Sequence, residues 1–140
     1  MNERNDKGPF FIDILSLQPS QLYINYDKFQ KVNNSENINN YQNLEPLPIK
    51  RLNDKIILTD GHTRALSYYL SGLKQIPVVW DEPWGSEYLD YEMYRICVDW
   101  CIEEGIVSIK NLENRIISDE EYEKLWLNRC TELANSLNKL

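Results

Sequence analysis

Residues 56–80, IILTDGHTRALSYYLSGLKQIPVVW, constrain the fold more than any other part of the chain. The pattern predicts an apolar strand, a sharp polar turn, an amphipathic helix over 63–71 and a second strand over 76–80. Apolar side chains recur at helical spacing in the middle of the segment, and Gly72 is well placed to end the helix. Connections this short predict neighbouring strands in one small sheet, with the polar turn at one end of it.

A β-hairpin is predicted immediately before this segment. Its strands are 47–52 and 55–59, and the dipeptide Asn53-Asp54 between them suits a tight turn. A capping box formed by Ser118 and Glu121 marks the start of a C-terminal helix. The other expected elements are an edge strand over 10–17, an extended segment over 22–24, a helical turn over 27–32, and helices over 88–104 and 119–137.

These elements predict the α+β class. We expect a small mixed sheet with a strand-turn-helix-strand core, followed by C-terminal helices that pack on the sheet or on each other. The core would cover residues 1–81 and the helical extension residues 82–140. A chain of 140 residues has the length of one domain and can bury a core without disulfides or metals.

Charge and hydropathy exclude several classes of partner. The formal net charge of -7 argues against broad attraction to nucleic acid or to an anionic membrane, although one local basic pocket stays compatible with it. The N-terminus lacks an apolar signal core, and no apolar run approaches the roughly 20 residues that span a bilayer. We therefore expect a cytoplasmic protein with no membrane partner.

The cysteines and the asparagine-rich segment have simple structural interpretations. Three cysteines in the C-terminal half are too few and too clustered for a disulfide framework, which predicts reduced thiols. Cys97 and Cys101 lie four residues apart on a predicted helix, but no second Cys/His pair with suitable spacing accompanies them. Core packing is therefore expected, with no structural metal. Residues 33–43 predict a solvated loop, long enough to act as a lid.

The turn at residues 60–64, Asp-Gly-His-Thr-Arg, is predicted to bind an anion. The start of a helix presents unpaired backbone N–H groups and a partial positive charge, which favour a phosphate or a carboxylate. Gly61 lets the backbone approach the ligand, Thr63 adds a hydroxyl, and Arg64 adds a two-pronged donor. His62, the chain's only histidine, lies in the same turn. These four residues are the candidate phosphate or nucleotide site.

Two residues of the turn are candidate catalytic groups. Asp60 could orient a metal-bound water or a substrate hydroxyl, and His62 could neutralise the charge of a phosphoryl group in transfer. Glu45, just before the first hairpin strand, is a candidate base if the fold brings it to the turn.

Each of these residues also has a structural interpretation that the sequence leaves open. Asp60 could cap the helix that follows it, and His62 could be a hydrogen-bonded turn residue. Arg64 could form a surface ion pair, and Thr63 could be an ordinary residue of the first helical turn.

Residues 44–80 resemble the ParB/sulfiredoxin superfamily. Members of that superfamily show a pair of short strands, a Gly-x-x-Arg turn that opens a helix, and a following strand with an Ile-Pro-Val sequence. Here the two strands are followed by Gly61-His62-Thr63-Arg64 and later by Ile76-Pro77-Val78. The resemblance extends over residues 10–81 and does not include the C-terminal third of the chain.

The resemblance implies different activities in different branches. Sulfiredoxin-like members carry a catalytic cysteine in the turn, and because this chain has His62 there, sulfinic-acid reductase activity is not expected. Chromosome-partitioning members bind a cytidine nucleotide with an arginine-rich turn and continue into a helix-turn-helix domain. This chain has only Arg64 in the turn and a short, acidic C-terminal region. Free-serine kinases have an Asp-Gly-His-x-Arg turn, which matches residues 60–64 best.

We therefore expect a protein that binds a nucleotide or a phosphorylated small molecule, with ATP, ADP or CTP and Mg²⁺ as candidate ligands. A nucleotide-dependent phosphotransferase acting on a small molecule is the alternative. A nuclease or DNA-associated regulator is a weaker one, because the chain is acidic. In a regulatory module, the C-terminal helices would contact a protein partner or a second copy of the chain.

Overall fold

The computed structural model describes residues 8–34, 44–82, 84 and 88–139. Its strands are β1 (Phe10–Asp13), β2 (Ile24–Asn25), β3 (Leu47–Leu52), β4 (Lys55–Leu58), β5 (Gln75–Trp80) and β6 (Ile116–Ile117). Its α-helices are α1 (Tyr26–Asn33), α2 (His62–Leu70), α3 (Tyr88–Glu103), α4 (Asp119–Tyr122) and α5 (Asn128–Leu137). Two 3₁₀ helices, Ile14–Ser16 and Ile109–Arg115, and a π-helix, Glu123–Leu127, complete the described elements.

The fold is of the α+β class, as the sequence predicts. Four strands form a mixed sheet in the order β1-β5-β3-β4, in which β3 and β5 are parallel and the other pairs antiparallel. A second, two-stranded sheet pairs β2 with β6 in parallel. No helix in the described ranges is long and apolar enough to cross a bilayer.

The predicted hairpin and the strand-turn-helix-strand unit are confirmed. Strands β3 and β4 pair up to Leu52 and Lys55, and the turn between them holds Asn53 at a φ of 57°. Asparagine tolerates this left-handed backbone better than most residues, which explains why the dipeptide suits the turn. Helix α2 and strand β5 follow in the expected order.

Three expectations about the N-terminal half need correction or fall outside the described residues. The strand expected over 10–17 ends at Asp13, whose carboxylate accepts a hydrogen bond from Leu15 N (2.9 Å) and caps a 3₁₀ helix. The helical turn expected over 27–32 is the two-turn helix α1, capped by Asn25. Most of the asparagine-rich loop, residues 35–43, lies outside the described residues.

The C-terminal helix expected over 119–137 is divided by the π-helix into α4 and α5. Ser118 caps its start by accepting a hydrogen bond from Glu121 N (3.2 Å), so that half of the predicted capping box is confirmed. The Glu121 carboxylate instead accepts a hydrogen bond from the Ser118 hydroxyl (3.3 Å).

One large apolar cluster joins the sheet to the C-terminal segment. It contains fully buried side chains from both parts of the chain, including Ile49, Leu66, Ile76, Cys101, Ile109 and Leu112. A polar contact crosses the same boundary, since Gln18 Nε2 donates to the Ile106 carbonyl at 2.8 Å. The described part of the extension therefore packs on the sheet, while the domain boundary at residue 81 stays a prediction.

The backbone between β4 and α2 passes close to β3. Gly61 is the N-cap of α2 and has a φ of 81°, in the region that glycine adopts without strain. A Cβ at Gly61 would lie 2.8 Å from Leu47 Cδ2, and the Leu47 side chain is fully buried. Glycine is therefore required here both for the backbone conformation and for the space.

We expect Gly61→Ala to destabilise the protein by about 2–4 kcal/mol, because the methyl group adds overpacking against Leu47 to the strain of a positive φ. Gly72→Ala is the matched control, since Gly72 has a φ of +93° and nothing within 4 Å of an added Cβ. It should cost only about 1 kcal/mol. Urea unfolding of both variants measures the difference, and equal losses would contradict the role of Leu47.

Candidate functional site

The first turn of α2 presents backbone donors that the helix itself does not use. Gly61 has no side chain to cap the helix, and the first backbone bond of the helix runs from Ala65 N to Gly61 O (2.8 Å). The N–H groups of His62, Thr63 and Arg64 therefore have no acceptor among the helix's own carbonyls. Their alignment with the helix dipole favours an anion at this end.

Asp60 does not cap α2, which the sequence left open. Its Oδ1 accepts a hydrogen bond from Gly61 N at 2.8 Å, one residue ahead of the first turn, and the side chain is exposed. The carboxylate therefore lies beside the helix start without occupying its first-turn donors. Thr63 is half-buried in that same turn.

The fold brings Glu45 to the turn by pairing it with Arg64. Glu45 Oε2 lies 2.6 Å from Arg64 Nη1, although the two residues are 19 positions apart. Both side chains are partly exposed, at 68% for Glu45 and 38% for Arg64. An exposed pair of this kind contributes about 0–1 kcal/mol, so a multiply charged anion can take the guanidinium from the carboxylate.

Tyr68 lies one helical turn after Arg64 and is 2% exposed. Burial raises the pKa of its hydroxyl, and the nearby Arg64 charge and a hydrogen bond from the Glu45 backbone oppose that rise. The hydroxyl therefore stays protonated, and the tyrosine links the Glu45 backbone to the buried face of α2.

His62 is buried and neutral. It is 3% exposed, and its Nε2 accepts a hydrogen bond from Ser20 N at 3.0 Å. Burial lowers the pKa of His62 to about 4, an effect that the charge of Asp60 only partly opposes. Because Nε2 is an acceptor here, the neutral ring carries its proton on Nδ1. Any contact between His62 and an anion must therefore come from Nδ1–H.

Ser20 is the hydrogen-bond partner of His62. The sequence did not predict a role for it. Its hydroxyl donates to the Leu58 carbonyl at 2.7 Å, while its backbone N–H binds His62. The residue follows Pro19 in a turn-like stretch, which carries no signal for a partner 42 positions away.

A cavity of about 240 Å³ has His62 in its wall. It is bounded by the segment around Ser20, by α3, by the π-helix and by α5; its walls are Ser20, Gln21, Thr59, His62, Asp90, Met93, Tyr94, Cys97, Trp126 and Cys130. Tyr94 anchors α3 there by donating to the Thr59 carbonyl at 3.1 Å. Burial, with the charges of Asp90 and Asp60, raises the pKa of Tyr94 to about 12.

The described residues hold no group of three or more His, Cys, Asp or Glu side chains that could bind a metal. Cys97 and Cys101 belong to the large apolar cluster, as expected for core residues. The two carboxylates at the turn, Asp60 and Glu45, are the acidic groups on which a phosphate-bound cation could draw.

Comparisons with known proteins give little further guidance. No protein-family model and no curated protein matches the chain. Among solved structures, the chain is similar to protein Atu1540 from Agrobacterium tumefaciens, with 14% sequence identity and a TM-score of 0.48. The match covers 71% of this chain and 49% of that one, so this chain corresponds to about half of that structure. A likeness this distant supports no argument about family or function.

The buried, neutral state of His62 predicts a specific loss of stability in acid. Its pKa is 6.5 when unfolded and about 4 when folded, so the unfolded chain binds a proton first as the pH falls. The stabilisation is complete above pH 6.5 and decreases towards pH 4, by up to about 3 kcal/mol. His62→Gln retains an acceptor for Ser20 N but does not titrate. Urea unfolding across this range should show a shallower decrease for the variant; parallel curves would contradict the assignment.

Proposed function

We propose that the turn at residues 60–64 binds the phosphate groups of a nucleotide or of a phosphorylated small molecule. The observation that carries this proposal is the start of α2, where Gly61 leaves the first-turn N–H groups without a side-chain cap and the same turn carries Arg64. Backbone donors, a helix dipole and one arginine together supply the contacts that a phosphate needs.

The two neighbouring carboxylates favour a phosphate that carries a cation. Asp60 is next to the helix start and Glu45 is bonded to Arg64, so a bare triphosphate would meet negative charge on both sides. Mg²⁺ commonly bridges phosphate oxygens and one or two carboxylates while keeping several of its waters. The proposed ligands are therefore ATP, ADP or CTP with Mg²⁺, and affinity should depend on the cation.

The resemblance of residues 60–64 to the Asp-Gly-His-x-Arg turn of free-serine kinases supports the same proposal. Within the ParB/sulfiredoxin superfamily, that resemblance implies a nucleotide phosphate at the turn. The formal net charge of -7 agrees with a small anionic ligand held at one local site rather than with a nucleic-acid backbone contacted over a large surface.

Calorimetric titration with ATP, ADP and CTP, with and without Mg²⁺, tests the phosphate site. Arg64→Ala should weaken binding by roughly ten-fold or more, because a charge-assisted, bidentate contact is lost. Arg95→Ala is the matched control. Arg95 is 40% exposed and bonds carboxylates on α3, so the variant makes the same change in net charge while the turn keeps its guanidinium. Equal affinities of the two variants, or no binding by the wild type, would refute the site.

A second function, phosphoryl transfer to a small molecule, is favoured by the position of Glu45. Its carboxylate lies at the same helix end as the proposed phosphate site, 2.6 Å from Arg64 Nη1. A carboxylate there can accept the proton of a substrate hydroxyl as that oxygen attacks the terminal phosphorus. Asp60 would hold the cation-bound water or orient the hydroxyl, and His62 would lie behind the turn.

Glu45→Gln separates competition from catalysis. Removing the carboxylate frees Arg64 from its ion pair, so affinity for nucleotide without Mg²⁺ should rise by up to about five-fold. If Glu45 is also the base, phosphate transfer to added hydroxyl substrates should fall while binding persists. Glu120→Gln is the charge-matched control. It removes an exposed carboxylate of α4 that pairs with Lys124 of the π-helix. The competition between Glu45 and phosphate would be contradicted if Glu45→Gln bound nucleotide without Mg²⁺ more weakly than the wild type while Glu120→Gln did not.

Tight nucleotide binding without turnover would identify a regulatory module instead. In that case the described C-terminal helices, which pack on the sheet through the shared core, would transmit the bound state to a protein partner or to a second copy of the chain.

A further inference from the structure

Two cysteines from different helices meet at the cavity beside His62. Cys97 belongs to α3 and Cys130 to α5, and both line the cavity. Helices α3 and α5 contact each other, and Cys130 has the largest effect on the pKa of Cys97. Cys97 is 5% exposed, whereas Cys130 is half-buried. A pair of thiols, one reachable from solvent and one behind it, therefore lies on one wall of an open space.

The third cysteine supplies an internal comparison. Cys101 lies one turn after Cys97 on α3, is fully buried and does not line the cavity. Burial raises its pKa to about 12, so its thiol stays protonated and inert. Cys97 and Cys130 therefore differ from Cys101 in lining the cavity.

The two thiols differ in the direction in which the protein shifts their pKa values. A hydrogen bond from Cys97 lowers the pKa of Cys130 against the opposing effect of burial, and the Arg129 charge contributes in the same direction. Arg129 is held nearby, with its guanidinium carbon 3.9 Å from the centre of the Trp100 ring. The same hydrogen bond, together with burial, raises the pKa of Cys97. Cys130 is thus the more acidic thiol of the pair.

We propose that Cys97 and Cys130 form an oxidation site, at which a peroxide entering the cavity converts the two thiols into a disulfide that joins α3 to α5. The proposal is independent of nucleotide binding at the turn.

The reaction takes two steps and uses only hydrogen peroxide as the oxidant. The Cys130 thiolate attacks one peroxide oxygen, the O–O bond breaks, and hydroxide leaves after Cys130 has become a sulfenic acid. Cys97 sulfur then attacks the Cys130 sulfur, the S–O bond breaks, and water leaves with the proton of the Cys97 thiol. Two thiols are oxidised and one peroxide is reduced.

Formation of the disulfide would fix part of the cavity wall. The disulfide would tie α5 to α3 at the cavity that Ser20 and His62 also line, and the hydrogen bond between those two residues holds the start of α2. Cytosolic disulfides, where they occur, are usually transient and redox-sensing, and this pair has the required unequal exposure.

The wild-type protein provides the primary test. Fully reduced protein is treated with hydrogen peroxide, unfolded, alkylated with iodoacetamide and analysed as intact protein and as peptides. The expected product has lost two hydrogens, carries one alkyl group at Cys101, and yields a linked peptide containing Cys97 and Cys130. Dithiothreitol should restore three alkylatable thiols. Three free thiols after peroxide, a link to Cys101, or a link only between two molecules would overturn the proposal.

Three variants test the order of the steps. Cys101→Ala is the control and should form the same linked peptide as the wild type. Cys97→Ser, whose hydroxyl keeps a hydrogen-bond donor for Cys130, should stop at a sulfenic acid on Cys130 that dimedone captures, while Cys130→Ala should be oxidised roughly ten-fold more slowly than Cys97→Ser. Circular dichroism establishes that each variant is folded. Equal rates in folded Cys97→Ser and Cys130→Ala would show that Cys130 is not the attacking thiol and would overturn the assignment.

Discussion

The short segment from Gln18 to Ser20 holds together the parts of the protein on which the candidate site depends. Gln18 extends the sheet by exchanging backbone hydrogen bonds with β4, at 3.0 Å each, and its side chain binds the Ile106 carbonyl. Ser20 binds Leu58 through its hydroxyl and His62 through its backbone N–H. Because these donors and acceptors are buried, losing one partner would leave the other without water to replace it. The sheet, the start of α2 and the C-terminal segment are therefore positioned by three consecutive residues.

The turn is electrostatically balanced rather than simply basic. The helix end and Arg64 attract an anion, while Glu45 already occupies the guanidinium and Asp60 lies beside it. On the proposed function, such a site would discriminate against weakly charged ligands, since only a ligand with several negative charges, or with its own cation, would gain more than the ion pair provides. His62 does not add to the positive side of this balance, because burial keeps it neutral near pH 7.

Local features of the fold were predictable, whereas the contacts that assemble the site were not. The β3–β4 hairpin and α2 follow from turn chemistry and hydrophobic periodicity within a few residues of each other. The two-residue strand β6 and the 3₁₀ helix Ile109–Arg115 are too short to show a period, so no sequence pattern predicts them. The Ser20–His62 bond joins residues 42 positions apart, and no local pattern encodes it. Glu45 was named as a candidate base, but only the fold shows that it reaches Arg64.

The π-helix Glu123–Leu127 determines how α5 is rotated about its own axis. One extra residue in a helical turn rotates the rest of a helix by about 100° relative to an uninterrupted α-helix. Tyr122, before this wide turn, is buried, and Cys130, after it, is partly buried against the same apolar cluster. A deletion of one residue within the π-helix would preserve the helix but turn the later face, including Cys130, away from α3. The extra residue in this turn thus sets which face of α5 lies against α3, so the length of the segment matters as much as its composition.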